Sequence, residues 1–103
     1  MKSYEFQTRA DFYKFLDQEK AEMHTTIFEA VDEAFAKGGE TAYIAEIFLY
    51  EENTYIDLIS SQEEWLESLE LGLKFYTEIE EYLICAKIKK LIDSIKTKVN
   101  FSI

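Results

Sequence analysis

The sequence contains no proline, three glycines and a single cysteine among its 103 residues. Without a proline- or glycine-rich stretch, no linker or low-complexity segment can be placed, so residues 1–103 are predicted to form one domain. Cys85 is alone and cannot form a disulfide within the chain. No apolar run is long enough to span a bilayer, and the first residues lack the apolar segment of a signal peptide. We therefore expect a protein of the reducing cytoplasm.

Patterns that would indicate catalysis or metal binding are also missing. His24 is the only histidine, and the chain has no HExxH, CxxC, Walker, GxGxxG or EF-hand pattern. An exposed or capping His24 and a Cys85 that packs as a small hydrophobe are the simplest interpretations. We predict no catalytic residue, no cofactor and no metal site, and hence a protein that is not an enzyme.

Acidic residues are abundant, and they are unevenly distributed. The net charge is −10, from 21 acids and 11 bases, and it divides into −3 over residues 1–39, −11 over 40–81 and +4 over 82–103. The acidic middle could bind a basic partner, or the basic tail could fold back on it. Arg9 is the only arginine, and the acidic excess repels phosphates, so we expect neither direct nucleic-acid binding nor membrane binding.

The first residues predict a short strand or capping arm, because Tyr4 and Phe6 alternate with polar neighbours. Thr8 and Asp11 then have the spacing of an N-cap residue and its N3 partner, which predicts a helix start.

Apolar residues at helical spacing continue over residues 9–37. This segment is either one long helix or two helices joined near Thr25, with Thr26 and Glu29 as a second capping pair. Gly38 and Gly39 are expected to end it, since glycine adopts the left-handed conformation at low cost.

A β-hairpin is predicted next, with strands near residues 41–50 and 54–59 and a turn centred on Asn53. The segment is rich in tyrosine, isoleucine and phenylalanine, which favours strands. A buried helix over residues 41–51 also fits the spacing and is the competing interpretation.

Two closing helices are predicted over residues 62–77 and 80–96. Either Ser60 with Glu63 or Ser61 with Glu64 forms a capping box for the first helix. The second helix carries a stripe of isoleucine and leucine from residue 84 to residue 95, with its lysines pointing away. The short connection predicts an antiparallel αα-hairpin.

The stretch EEYLICAKIKKLIDSIK, residues 80–96, resembles the UVR motif, a small helical hairpin of excision-repair proteins and some stress-response adaptors. Leu83 and Lys90 stand where that family usually has acidic residues. With the preceding helix included, the resemblance covers the hairpin over residues 62–96, and it implies that this hairpin is a protein–protein docking element. The residues that carry it are an aromatic, a small pair, a hydrophobic, a basic residue and an isoleucine seam: Tyr82, Cys85, Ala86, Ile88, Lys89, Ile92 and Ile95.

Together these patterns predict an α+β fold of an N-terminal helical segment, a β-hairpin and a C-terminal αα-hairpin, with an all-α bundle as the alternative. The predicted function is a non-enzymatic intracellular interaction or adaptor protein that binds a protein with a basic or apolar surface, or a second copy of itself. The alternative is an acidic inhibitor that mimics DNA toward a nucleic-acid-binding enzyme, consistent with a phage or mobile-element gene. The candidate partner-binding residues are Glu63, Trp65, Glu67, Glu70, Lys87 and Lys90.

Overall fold

The computed structural model describes residues 2–101, with side chains described through residue 98. These residues form three strands and four helices. In chain order they are β1 (Lys2–Phe6), α1 (Arg9–Gln18), α2 (Lys20–Ala36), β2 (Thr41–Leu49), β3 (Thr54–Ser61), α3 (Gln62–Glu78) and α4 (Tyr82–Phe101). The predicted α+β class is confirmed.

The three strands form one sheet in the order β1-β2-β3. β1 is parallel to β2, and the chain returns between them through α1 and α2, whereas β2 and β3 are antiparallel. The predicted hairpin over these two strands is confirmed, and the competing helix over residues 41–51 is wrong. Asn53 forms the turn with a φ of 49°, a left-handed conformation that asparagine tolerates better than most residues.

β2 contains a bulge that decides which side chains face the helices. Tyr43 pairs with Ile59, whereas Ala45 pairs with Leu58, so Ile44 is an extra residue in β2. Ile44 and Ala45 are both buried. The bulge therefore shifts the alternation by one residue: Tyr43 points away from the helices before it, and Glu46 and Phe48 point to that same side after it.

The N-terminal helical segment is two helices, and their joint differs from the prediction. The chain leaves helical geometry at Glu19, with φ −109° and ψ 51°, rather than near Thr25. Thr26 lies inside α2, where its hydroxyl donates to the carbonyl of Glu22 at 2.8 Å, so it is not a cap. The break falls where the apolar stripe is interrupted by polar residues, which frees α1 to pack on β1 while α2 packs on β2.

Both predicted ends of this segment are confirmed. The Thr8 hydroxyl accepts a hydrogen bond from the Asp11 amide at 3.1 Å, as an N-cap does. At the other end Gly38 has a φ of +72°, and the Gly39 amide donates to the Ala34 carbonyl at 2.9 Å.

α3 and α4 pack as the predicted antiparallel hairpin. Ser61 is the N-cap of α3, and its hydroxyl donates to the Glu64 carboxylate at 2.8 Å. The turn between the helices includes Glu80 at a φ of 61°. The predicted stripe of α4 is its core side, with Ile88, Leu91, Ile92 and Ile95 buried.

α2 is the central element of the core. One of its sides packs on the sheet around Ile47 and Leu49, and its other side packs on the α3–α4 hairpin around Trp65. Ile27 and Ala30 of α2 contact both groups. Within residues 2–101 the helices therefore all pack on one face of the sheet, and none of them covers the other face.

Candidate functional site

The predicted acidic contact on α3 is exposed. Glu63, Glu67 and Glu70 share one side of the helix and are accessible to solvent. The Glu70 carboxylate lies 3.8 Å from the Lys96 ammonium of α4. The basic tail thus does fold back on the acidic middle at this point, although a single exposed pair of this length contributes little.

Trp65 does not belong to that contact. Its side chain is 0% exposed, and its indole N–H donates to the Ser60 carbonyl at 2.9 Å. Trp65 instead packs in the core between α2, α3 and α4. Burial there is favourable because tryptophan contributes more apolar area than any other residue. The structure therefore corrects the predicted contact by removing Trp65 from it.

Lys87 and Lys90 are exposed on α4, and with Phe28, Asp32 and Phe35 of α2 they line a shallow groove between the two helices. Nine residues separate Lys87 from Lys96, so the two lysines lie about half a turn apart around the helix axis. The predicted acidic and basic residues consequently do not form one continuous surface.

The open face of the sheet was not predicted as a site, yet it is the largest group of exposed aromatic side chains in residues 2–98. We define the open face by the apolar, aromatic and acidic residues among the outward residues of the strands, together with the residue after β2: Glu5, Tyr43, Glu46, Phe48, Tyr50, Tyr55, Asp57 and Ile59. Tyr55 is 67% exposed and Tyr43 is 61% exposed. Groups of exposed apolar side chains rimmed by polar residues often mark interaction sites.

The rings of the open face are ordered against one another. Phe48 lies 4.8 Å from Tyr50 in an edge-on arrangement and 4.7 Å from Tyr55, measured between ring centroids. Such pairs hold their side chains in place, so a partner would meet a surface that is already formed.

The open face carries acids and no base. Glu46 lies directly opposite Asp57, one strand away, and neither makes an ion pair with any residue in the described part of the chain. On β1, the Glu5 carboxylate beside the Tyr50 hydroxyl raises the pKa of that tyrosine. Arg9 is engaged elsewhere, 2.8 Å from Glu52 in the hairpin turn.

The tip of the α3–α4 hairpin is a second exposed apolar area. Ile79, Tyr82 and Leu83 lie at or beside the turn between the two helices and are all exposed, Leu83 at 85%. Glu80 and Glu81 accompany them, so this tip is also acidic.

His24 is neither fully exposed nor a cap, which corrects the sequence-based interpretation. Its ring lies 4.9 Å from that of Phe75, and its Nδ1 atom is buried without a hydrogen-bond partner. Burial lowers the pKa of His24, and Lys20 lowers it further. Nearby, the Tyr76 hydroxyl donates to the Ala21 carbonyl at 2.7 Å.

Cys85 is buried, as its apolar surroundings predicted, and its sulfur lies 3.5 Å from the Thr77 hydroxyl. Within the part of the chain that the structure describes, no three histidine, cysteine or carboxylate side chains are grouped so that they could hold a metal ion. None of the helices in residues 2–101 is both long and apolar enough to cross a bilayer.

Comparison of the chain with protein-family models, with curated proteins and with solved structures yields no match.

Proposed function

We propose that this chain is a non-enzymatic intracellular protein that acts by binding another protein through the open face of its sheet. The observation that carries the proposal is the exposure of Tyr43, Tyr55 and Ile59 on a face that none of the described helices covers. Tyrosine is enriched at protein interfaces because it combines a large apolar ring with a polar hydroxyl.

The charge of the open face indicates which class of partner it would bind. Its outward acids are Glu5, Glu46 and Asp57, and no lysine or arginine lies among its defining residues. A basic protein surface complements this face, whereas nucleic acid and anionic membrane have the wrong sign. A second copy of the chain is a poor partner for this face, because two open faces in contact would place acidic residues against acidic residues.

A DNA-mimicking inhibitor is the second candidate. Glu63 and Glu67 support it, because they are exposed on α3 and make no ion pair with any described residue. Such a protein would bind through carboxylates alone, so double-stranded DNA would displace it from its partner, and its affinity would fall steeply with salt. Binding by the open face should keep an apolar component at high salt. The docking role that the UVR resemblance implies for the hairpin stays a prediction.

The test is site-specific photo-cross-linking in the native host. Tyr55 is replaced by the photo-reactive p-benzoylphenylalanine, and Tyr13 of α1, another largely exposed tyrosine at 57% exposure, receives the same replacement as a control. We expect one protein to be cross-linked from position 55 and not from position 13, and we expect it to rebind the unmodified chain when purified. Equal cross-linking from both positions, or none from position 55, would refute the proposal.

A further inference from the structure

On β2 and β3, the open face presents three rows of paired side chains that run across the two strands. Tyr43 and Ile59 form an apolar row, Glu46 and Asp57 form an acidic row, and Phe48 and Tyr55 form an aromatic row. Tyr43 and Glu46 are three residues apart because the bulge places two inward residues between them. The acidic row is thus flanked on both sides by apolar side chains.

Spacing in a sheet fixes the scale of this pattern. Neighbouring strands lie about 4.8 Å apart, and residues two apart on one strand are separated by about 7 Å. Glu46 and Asp57 therefore stand side by side, and the rings of Phe48 and Tyr55 begin about 7 Å further along the strands. A long side chain with an apolar stem and a cationic head spans this distance.

Arginine fits this arrangement better than lysine does. Its planar guanidinium holds five N–H donors in a fixed fork, so it can satisfy two neighbouring carboxylates at once. The ammonium of lysine is a point charge and lacks this fork geometry. The like-charged Glu46 and Asp57 have no cation of their own within the described residues, so a guanidinium would relieve their repulsion.

We propose that the open face recognises an arginine-bearing segment of the partner protein, with a guanidinium at Glu46 and Asp57 and its stem across Phe48 and Tyr55. This inference rests on the proposed function and specifies the chemistry of its partner. The same features disfavour a second copy of the chain, because the defining residues of the open face provide no arginine or lysine.

The test uses the purified full chain and a fluorescently labelled peptide of alternating arginine and glycine, followed by anisotropy. Peptides with lysine or glutamate in place of arginine are the controls. The variant E46Q/D57N removes the acidic row, and E63Q/E67Q removes two exposed carboxylates from α3. Both variants change the net charge from −10 to −8, so they differ only in where the charge is lost.

The arginine peptide should bind more tightly than the lysine peptide, and E46Q/D57N should weaken its binding by roughly five- to tenfold, as expected for the loss of two near-surface charge pairs. E63Q/E67Q should change the affinity less than about twofold, since those carboxylates lie outside the open face. Equal losses in both variants, or equal affinity for arginine and lysine, would overturn the inference in favour of non-specific attraction.

The failure of this inference is distinguishable from failure of the proposed function. A partner cross-linked from position 55 whose binding is insensitive to E46Q/D57N would leave the proposed function standing and overturn the arginine assignment. Absence of any partner at position 55 would overturn both.

Discussion

Glu46 of β2 lies directly opposite Asp57 of β3 on the exposed face of the sheet, with no cation paired to either carboxylate among the described residues. Like charges at opposite positions of neighbouring strands destabilise a sheet. We therefore expect this pair to lower the stability of the free protein, and we expect a cationic partner to recover that stability on binding.

Replacing Asp57 with lysine should stabilise the free protein, because the repulsion becomes an attraction between Glu46 and the new lysine. We expect a gain of about 0.5–1 kcal/mol in the free energy of unfolding, measured by urea denaturation. Asp57→Asn, which only removes the repulsion, should give a smaller gain. The Asp57→Lys variant should also lose binding to the arginine peptide. Loss of stability in both variants would contradict the account of this pair.

Replacing Trp65 with alanine should destabilise the protein by about 3–5 kcal/mol, because a fully buried ring is lost from the core. Chemical denaturation followed by far-UV circular dichroism measures this effect. Leu83→Ala is the matched control, since Leu83 is largely exposed and its truncation should change stability by less than about 0.5 kcal/mol. A small effect at Trp65 would mean that its side chain is not in the core.

Stability should fall as the pH decreases below about 6.5, the ordinary pKa of histidine, because the pKa of His24 is lowered by burial. In this range the unfolded chain binds a proton that the folded chain does not, so protonation favours unfolding. The stabilisation is complete above pH 6.5 and is lost as the pH falls through the lower pKa of the folded state.

Urea midpoints between about pH 5 and about pH 7.5 test this expectation, with His24→Gln as the comparison. Glu22 and Glu33, whose pKa values are lowered by Lys2 and Lys37, lose their contributions only at more acidic pH. The urea midpoint of His24→Gln should therefore change less with pH over this range than the midpoint of the unmodified protein does. The same slope in both proteins would show that His24 is not responsible.

Replacement by alanine should change the stability of the protein in opposite directions at two glycines. Gly38→Ala should destabilise the protein by about 1 kcal/mol, because φ is +72° there. Gly72→Ala should stabilise it by up to about 1 kcal/mol through helix propensity, since the nearest atom to the new Cβ would be His24 Nδ1 at an ordinary 3.5 Å. Thermal unfolding of both variants measures whether each substitution lowers or raises the stability. Destabilisation by Gly72→Ala would mean that α3 needs the closer approach of a glycine to His24.

The sequence predicted most of the fold because its elements have strong local signals. The Thr8 cap, the glycines after α2 and the Asn53 turn each specify backbone geometry by residue type alone. The joint between α1 and α2 was misplaced because Glu19 carries no such signal. The helix breaks at that point because α1 packs on β1 whereas α2 packs on β2, which is an effect of tertiary packing.

The candidate site was harder to predict for a related reason. The alternation in the hairpin sequence does not indicate which face of the sheet the helices cover. In addition, the bulge at Ile44 shifts the alternation by one residue, so that Tyr43 and Phe48 point to the same side of the sheet. Trp65 was assigned to the surface on residue type, although its spacing with Leu69 and Tyr76 also fits a core stripe. Outward aromatic residues on both strands of a predicted hairpin are the signal that could have located the open face.

The central claim is that the open face binds the partner, and two tyrosines of similar exposure test it most directly. Tyr55→Ser and Tyr13→Ser each remove one exposed ring, the first from the open face and the second from α1. Isothermal titration of the partner captured by cross-linking should show an affinity loss of about tenfold or more for Tyr55→Ser, as for an interface hot spot, and less than about twofold for Tyr13→Ser. An unchanged affinity in Tyr55→Ser, or an equal loss in both variants, would contradict the claim.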